Sequence, residues 1–258
     1  MRSNNPVLKN LPQADQQGYG YQSPQVTDAE RPMTIDDVVS KTGITLAVIV
    51  VFAVANFMLG LSNAGLASML TFGGAIGAFI TVLVHAFSKK FGSKTLTLIY
   101  AAFEGLFVGG FSFLFAGMRV GDSSGSMIVF QAIVGTIGVF LGMLVVYRTG
   151  AIRVTPRFNR ILTGLIFGVA IMALGNFLLA IFTGINPLRG GGTLAIIFGL
   201  VCVVLAALSF LQDFDVADKL VRTGAPAQAA WGVALGLAVT LVWLYTEILR
   251  LLYLFQER

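Results

Sequence analysis

Seven apolar stretches dominate the pattern of this chain: Gly43–Leu61, Leu66–Phe87, Thr95–Gly117, Ile128–Tyr147, Ile161–Thr183, Leu194–Leu211 and Trp231–Leu251. Each holds roughly 18 to 25 residues, enough for a helix to cross ~30 Å of hydrocarbon. The stretches are continuous and show no period-two alternation, which excludes a membrane β-barrel. Short connections make neighbouring helices antiparallel. Residues 1–40 are a different material. "NLPQADQQGYGYQSPQVTDAERP" is rich in Gln, Gly, Pro and charge and cannot bury enough apolar area to order itself, so a flexible tail is expected. It lacks the charged-then-apolar opening of a cleaved signal peptide. "MTIDDVVSK" follows, with acidic residues where a helix dipole favours them. The expected organisation is a tail over 1–40 and a seven-helix transmembrane domain over 41–258.

Composition supports the same class. Hydrophobic residues make up 56% of the chain and charged residues 11%, against ~25% charged in ordinary soluble domains. The net charge of +5 therefore speaks of basic loops, not of nucleic acid. Lys89, Lys90 and Lys94 follow the second stretch, Arg148, Arg153, Arg157 and Arg160 follow the fourth, and Lys219 and Arg222 follow the sixth. The alternate connections carry none, Arg119 alone and Arg189 alone. The positive-inside rule puts the tail and the basic connections in the cytoplasm. An odd number of spans puts the C-terminus outside, with Arg250 and Arg258 weighing mildly against.

Small residues recur four apart at Gly73/Gly77, Gly105/Gly109, Gly138/Gly142, Gly164/Gly168 and Gly232/Gly236, and close helix packing inside the bundle is expected at them. Polar groups inside the spans are few. Charge at a span centre costs roughly 2.5 to 3.5 kcal/mol, so Glu104 is expected to face the bundle interior or a wet cavity. Asp213, Asp215 and Asp218 crowd the cytoplasmic end of the sixth stretch. Asp213 and Asp215 are about 200° apart on a helix and cannot both face the core. Asp215–Lys219 and Asp218–Arg222 have i,i+4 spacing, and Glu247–Arg250 has i,i+3 spacing, so each is expected to pair. Asn56, Gln131 and Asn176 are expected to join helices. His85 reads as an interfacial hydrogen-bonder and Cys202 as a small buried hydrophobe.

Enzymatic chemistry has little to work with. One histidine and one cysteine make no His/Cys zinc site. There is no phosphate-binding Walker loop. Ser112 lies in "GGFSF", which is not a nucleophile elbow. The last span has no lysine for a Schiff base. A non-enzymatic protein without a resident cofactor is expected.

Seven tight spans, the acidic "FDVADKL" and the closing "LVWLYTEILRLL" resemble the Bax inhibitor-1/YccA family, also called the transmembrane Bax inhibitor motif family. The opening "MRSNNPVLKN" is similar to actinobacterial members, implying a bacterial plasma membrane. The resemblance implies a seven-helix bundle with the last helix near its centre, and a pH-sensitive calcium leak. In that family two cytoplasmic-side aspartates share a proton, and a basic residue after the second span latches them. Carried over residue by residue, Phe214–Asp215 matches the family's tyrosine–aspartate pair, and the latch falls on Lys89 or Lys90. The second aspartate, ten positions before Arg250, falls on Thr240, which carries no charge. Glu104 or Asp213 is then expected to supply the second carboxylate. With Asp215, such a pair would give calcium a weak transit site. Some bacterial relatives resemble modulators of the membrane protease FtsH, acting through a cytoplasmic tail, so a regulatory interaction protein is the competing expectation. A coupled transporter would predict internal repeats, and no clear repeat is visible.

Overall fold

In a computed structural model, which describes residues 31–87, 92–120, 123–188 and 190–256, every apolar stretch forms one helix. The order is α1 (Ile35–Ser62), α2 (Ala64–Phe87), α3 (Lys94–Ala116), α4 (Gly125–Thr149), α5 (Pro156–Thr183), α6 (Thr193–Arg222) and α7 (Ala230–Gln256). All seven are long and apolar enough to cross a membrane. A two-residue-per-strand hairpin, β1 (Arg119–Val120) with β2 (Ser123–Ser124), fills the α3–α4 connection. A single 3-10 turn, Ala227–Ala229, precedes α7.

α7 is the hub. In its span 67% of the residues are buried, against 6% for α5, so α7 lies at the centre and α5 at the rim. α7 packs against α6, α1, α4 and α3, while α5 leans on α6. Its sequence is apolar nearly all round, which is what a helix with no lipid-facing side requires. Met33, Phe210, Phe214, Val233, Leu237 and Leu244 belong to the core between α6 and α7. Tyr100, Ala101, Leu235, Ala238 and Val242 belong to the core between α3 and α7.

Two helices, α1 and α6, extend furthest beyond their apolar stretches. α1 begins at Ile35, eight residues before Gly43, because Thr34 and Asp37 form a capping box that satisfies the first free amides. The ordered chain also reaches back beyond the expected tail boundary. Met33 N donates to Ala225 O at 2.7 Å, and Ala227 N donates to Arg31 O at 2.9 Å. Arg31 grips both oxygens of Asp37 at 2.7 and 2.5 Å. Lys41 Nζ, itself buried, donates to Ala227 O at 2.7 Å. Residues 31–33 thus form a strap bound to the α6–α7 connection, and the tail over 1–30 lies outside the described residues. α6 runs on past Leu211 to Arg222, its polar end supported by the Asp215–Lys219 and Asp218–Arg222 pairs.

The glycine pairs divide sharply. A Cβ on Gly105 would lie 2.5 Å from Ile49 O, and one on Gly109 would lie 2.1 Å from Ala53 O, so this pair seats α3 against the backbone of α1. On α2 the close contacts fall at Gly74 and Gly77, both against α3, while Gly73 faces open space. Gly138, Gly142, Gly164 and Gly168 also face open space, which corrects the expectation that these pairs pack inside the bundle. Spacing puts small residues on one helix face but does not say whether a neighbour occupies that face.

Gly109→Ala should therefore lower the melting temperature of the detergent-solubilised protein, by the roughly 1–3 kcal/mol that overpacking costs. Gly164→Ala should leave it unchanged or slightly raised, since Ala is the better helix former. Thermal unfolding followed by tryptophan fluorescence reads both. Equal behaviour of the two variants would refute the α1–α3 contact.

Candidate functional site

Asp213 is the carboxylate of α6 that meets the central helix. Thr240 Oγ1 donates to Asp213 Oδ2 at 2.7 Å, and also contacts Gly236 O one turn back at 3.2 Å. A Cβ at Gly236 would come within 3.9 Å of Asp213 Oδ1, an ordinary contact distance that places the carboxylate beside this turn of α7. Among the described residues, Thr240 is the one hydrogen-bond donor to Asp213.

Asp215 behaves differently. It pairs with Lys219 on its own helix and lies near Tyr147 at the end of α4. Asp218 pairs with Arg222 at 2.9 Å. An inward role is expected for Asp215, or for Asp213 as its stand-in, and the contact with α7 falls to Asp213. Of two positions about 200° apart only one can face α7, and Thr240 holds Asp213 on that face. Lys89 and Lys90, the expected latch, lie outside the described residues.

Glu104 sits half-buried on α3, one turn after Tyr100, whose hydroxyl is within reach of its carboxyl. Two contacts fix the register of α3 against α7. Thr97 Oγ1 donates to Trp231 O at 3.0 Å, and Ser112 Oγ lies 2.7 Å from the Tyr245 hydroxyl. Interpolating between them puts Glu104 level with Leu237 and Ala238, roughly 3 to 5 Å along the axis from Thr240 at 1.5 Å per residue. Glu104 therefore shares the depth of Asp213. It does not share a face. Glu104 follows Tyr100 and Ala101, which cluster with Leu235, Ala238 and Val242. Asp213 meets Gly236 and Thr240. On α7 those two sets are roughly 150° apart. The structure thus brings Asp213 and Thr240 together and leaves Glu104 across the central helix.

Further out, Glu247 and Arg250 pair at 2.5 Å as their spacing implies, both almost fully buried. Arg250 also donates to Leu188 O at 3.2 Å, tying α7 to the α5–α6 connection. Asn176 holds the same connection through Asn186 at 2.6 Å and Leu188 N at 3.0 Å, so it fastens a loop more than a helix. Asn56 does join helices. Its amide reaches Leu106 O at 2.6 Å and Thr71 Oγ1 at 3.0 Å, linking α1, α3 and α2. Gln131 makes a long contact with Gln256 at 3.5 Å. His85 and Cys202 are buried.

Thr240, Gly236, Thr97 and Tyr245 were not singled out by chemistry in the sequence. Thr240, Gly236 and Tyr245 lie on α7 and Thr97 lies on α3 facing it; only the family resemblance pointed to Thr240, and only its glycine spacing to Gly236. Calcium seeks six to eight oxygens. Asp213 and Thr240 offer a carboxylate and a hydroxyl, and no group of three His, Cys, Asp or Glu side chains gathers among the described residues.

The buried outer pair makes a separate prediction. Glu247→Leu strands the Arg250 charge and should cost about 3–5 kcal/mol. Glu247→Leu with Arg250→Met removes both charges and should recover most of that loss. Unfolding in denaturing detergent compares the two. If the double variant is as unstable as the single one, the stranded charge is not the cause.

A family model described as Bax inhibitor 1 like matches residues 5–257, nearly the whole chain. No curated protein matches it.

Proposed function

The chain belongs to the Bax inhibitor 1 like family, and on that premise we propose that it is a pH-sensitive calcium leak of a bacterial plasma membrane, gated by Asp213. One observation carries the reading: an ionisable carboxylate toward the C-terminal end of α6 is held against the central helix by Thr240, the residue on which the family resemblance places a second aspartate. Protonation changes the charge that a cation entering along α7 would meet. Glu104, at the same depth on another side of α7, is the second carboxylate of this proposal. It acts on the field along the helix and makes no direct contact with Asp213. Calcium is cargo here, held in passing by few oxygens. The proposed role is not enzymatic and needs no cofactor.

A second reading has its own observation. Residues 31–33 strap the root of the N-terminal segment to the α6–α7 connection. A cytoplasmic partner bound to residues 1–30, such as a membrane protease of the FtsH kind, would then pull on the end of the central helix. In this reading the protein regulates and does not transport.

Calcium entry into liposomes across pH 5 to 8 separates the two. The parent chain should show a flux that changes with pH. Asp213→Asn, which fixes the uncharged form, should flatten the pH response and change the flux about tenfold, the effect of ~1.4 kcal/mol in a barrier. Asp215→Asn should leave the pH response in place. Glu104→Gln should shift the response without abolishing it. Deleting residues 1–30 should leave the leak intact. No flux above empty liposomes at any pH, with the chain folded, would favour the regulatory reading.

A further inference from the structure

A cavity of about 430 Å³ lies between α1 and α4, with parts of α3 and α7 in its wall. Its lining is almost wholly apolar. The few hydroxyls it meets already have partners: Ser112 with Tyr245 at 2.7 Å, and Thr136 with Ala132 O at 2.8 Å. A resident water needs two to four polar partners, and this wall has almost none to spare. α1 and α4 flank the space without packing as a pair. Its rim carries Val50, Val54, Ile133 and Ile137, between 44% and 58% exposed. On membrane-spanning helices such side chains face hydrocarbon. The cavity is therefore open to the bilayer and closed to water.

Its shape matches one occupant. The α1 lining runs from Leu46 to Phe57, a rise of roughly 16 Å at 1.5 Å per residue. That is about half of a ~30 Å hydrocarbon core, the depth of a single leaflet. On α3, α4 and α7 the lining falls toward the half away from the strap, while on α1 it spans the middle of the apolar stretch. A slot one leaflet deep, apolar throughout and open sideways to lipid, forfeits dispersion contacts along its wall unless something fills it. We propose that it is a binding site for one acyl chain of a membrane lipid, inserted between α1 and α4 from the outer leaflet. The bound chain reaches the central helix at Val242 and Tyr245, within two turns of Thr240 and beside the Ser112–Tyr245 contact. The proposal needs only the membrane-spanning bundle and stands whether or not the protein conducts calcium.

The test uses the full chain in vesicles of phosphatidylcholine carrying a photoactivatable diazirine midway along one acyl chain. Adducts are mapped by peptide mass spectrometry. Adducts are expected on Val242 and Tyr245, each 7% exposed and lining the cavity, as well as on lipid-facing Ile171 and Phe182 of α5, 68% and 82% exposed. In a host bilayer of unlabelled lipid with methyl-branched chains, which fit a narrow slot poorly, the adducts on Val242 and Tyr245 should rise relative to those on α5. Ala53→Leu with Thr136→Leu, which fills the slot, should reduce the Val242 and Tyr245 adducts about tenfold and spare those on α5. Adducts confined to exposed side chains in the parent chain would overturn the proposal. So would Val242 adducts that keep a constant ratio to those on α5 in straight-chain and branched-chain hosts, because that is bulk contact and not a site. If the filled variant fails to reconstitute, the comparison of the two hosts in the parent chain decides alone.

Discussion

α7 lies among four other helices in a solvent that offers no hydrogen bonds, so every polar group it carries must find its partner in protein. The requirement is met in steps along the axis. At the N-terminal end of α7 Thr97 donates to the Trp231 carbonyl, and Lys41 and Lys94 lie over the Trp231 ring at 5.8 and 5.7 Å. Next Thr240 donates to Asp213. Then Tyr245 meets Ser112. At the outer end Glu247 meets Arg250, and Arg250 holds the α5–α6 connection. Three different helices or connections are thereby fastened to one. Between these steps the contacts are apolar and tolerate sliding, since lipid and side chain compete for them on nearly equal terms. Position along α7 is thus fixed by a few hydrogen bonds and not by the bulk of the packing.

The remaining helices follow from that centre. α1 and α3 pack through Gly105 and Gly109 so closely that backbone touches backbone, and Asn56 adds polar contacts to α2 and α3 there. This makes a stiff unit of α1, α2 and α3. α4 and α6 form the other side around Phe140, Phe210 and Phe214, whose rings lie 5.3 to 6.1 Å apart. Between the two sides, α1 and α4 leave the apolar slot. The strap at residues 31–33 joins the sides at the start of α1, where it binds the stiff unit to the α6–α7 connection.

Much of this was legible in the sequence, and the reasons for the misses are physical. Hydropathy placed seven spans because bilayer thickness imposes a length that few other structures share. It misplaced the ends of α1 and α6 because hydropathy records where the membrane stops, while a helix ends where its caps fail. Thr34 with Asp37 extends α1, and two ion pairs extend α6. The i,i+3 and i,i+4 charge pairs were legible because both partners share one helix. The inward carboxylate was not. Helical geometry stated that Asp213 and Asp215 could not both face the core, but the contact that chooses between them lay 27 residues away, in Thr240. Glu104 was placed mid-span correctly, yet its depth relative to Asp213 and its separate face came only from the register of α3 against α7.

Thr240 changes what a proton can do at the site. Two aspartates facing each other titrate as a coupled pair, because close like charges resist joint ionisation. A hydroxyl has no charge to lose, but it can donate and accept at once. When Asp213 is ionised, Thr240 donates to it, as the 2.7 Å contact allows. When Asp213 is protonated, its new hydroxyl can donate to Thr240, which keeps Gly236 O as an alternative acceptor at 3.2 Å. The contact between α6 and α7 therefore survives in both states, and only the charge beside the central helix changes. A pair of aspartates joined by one proton loses its bond when that proton leaves, and its two helices repel. Asp213 with Thr240 loses nothing mechanical. In the proposed leak, pH would then act through the electrostatic barrier to a cation, titrating as one site and not as a coupled pair, with no forced separation of α6 from α7.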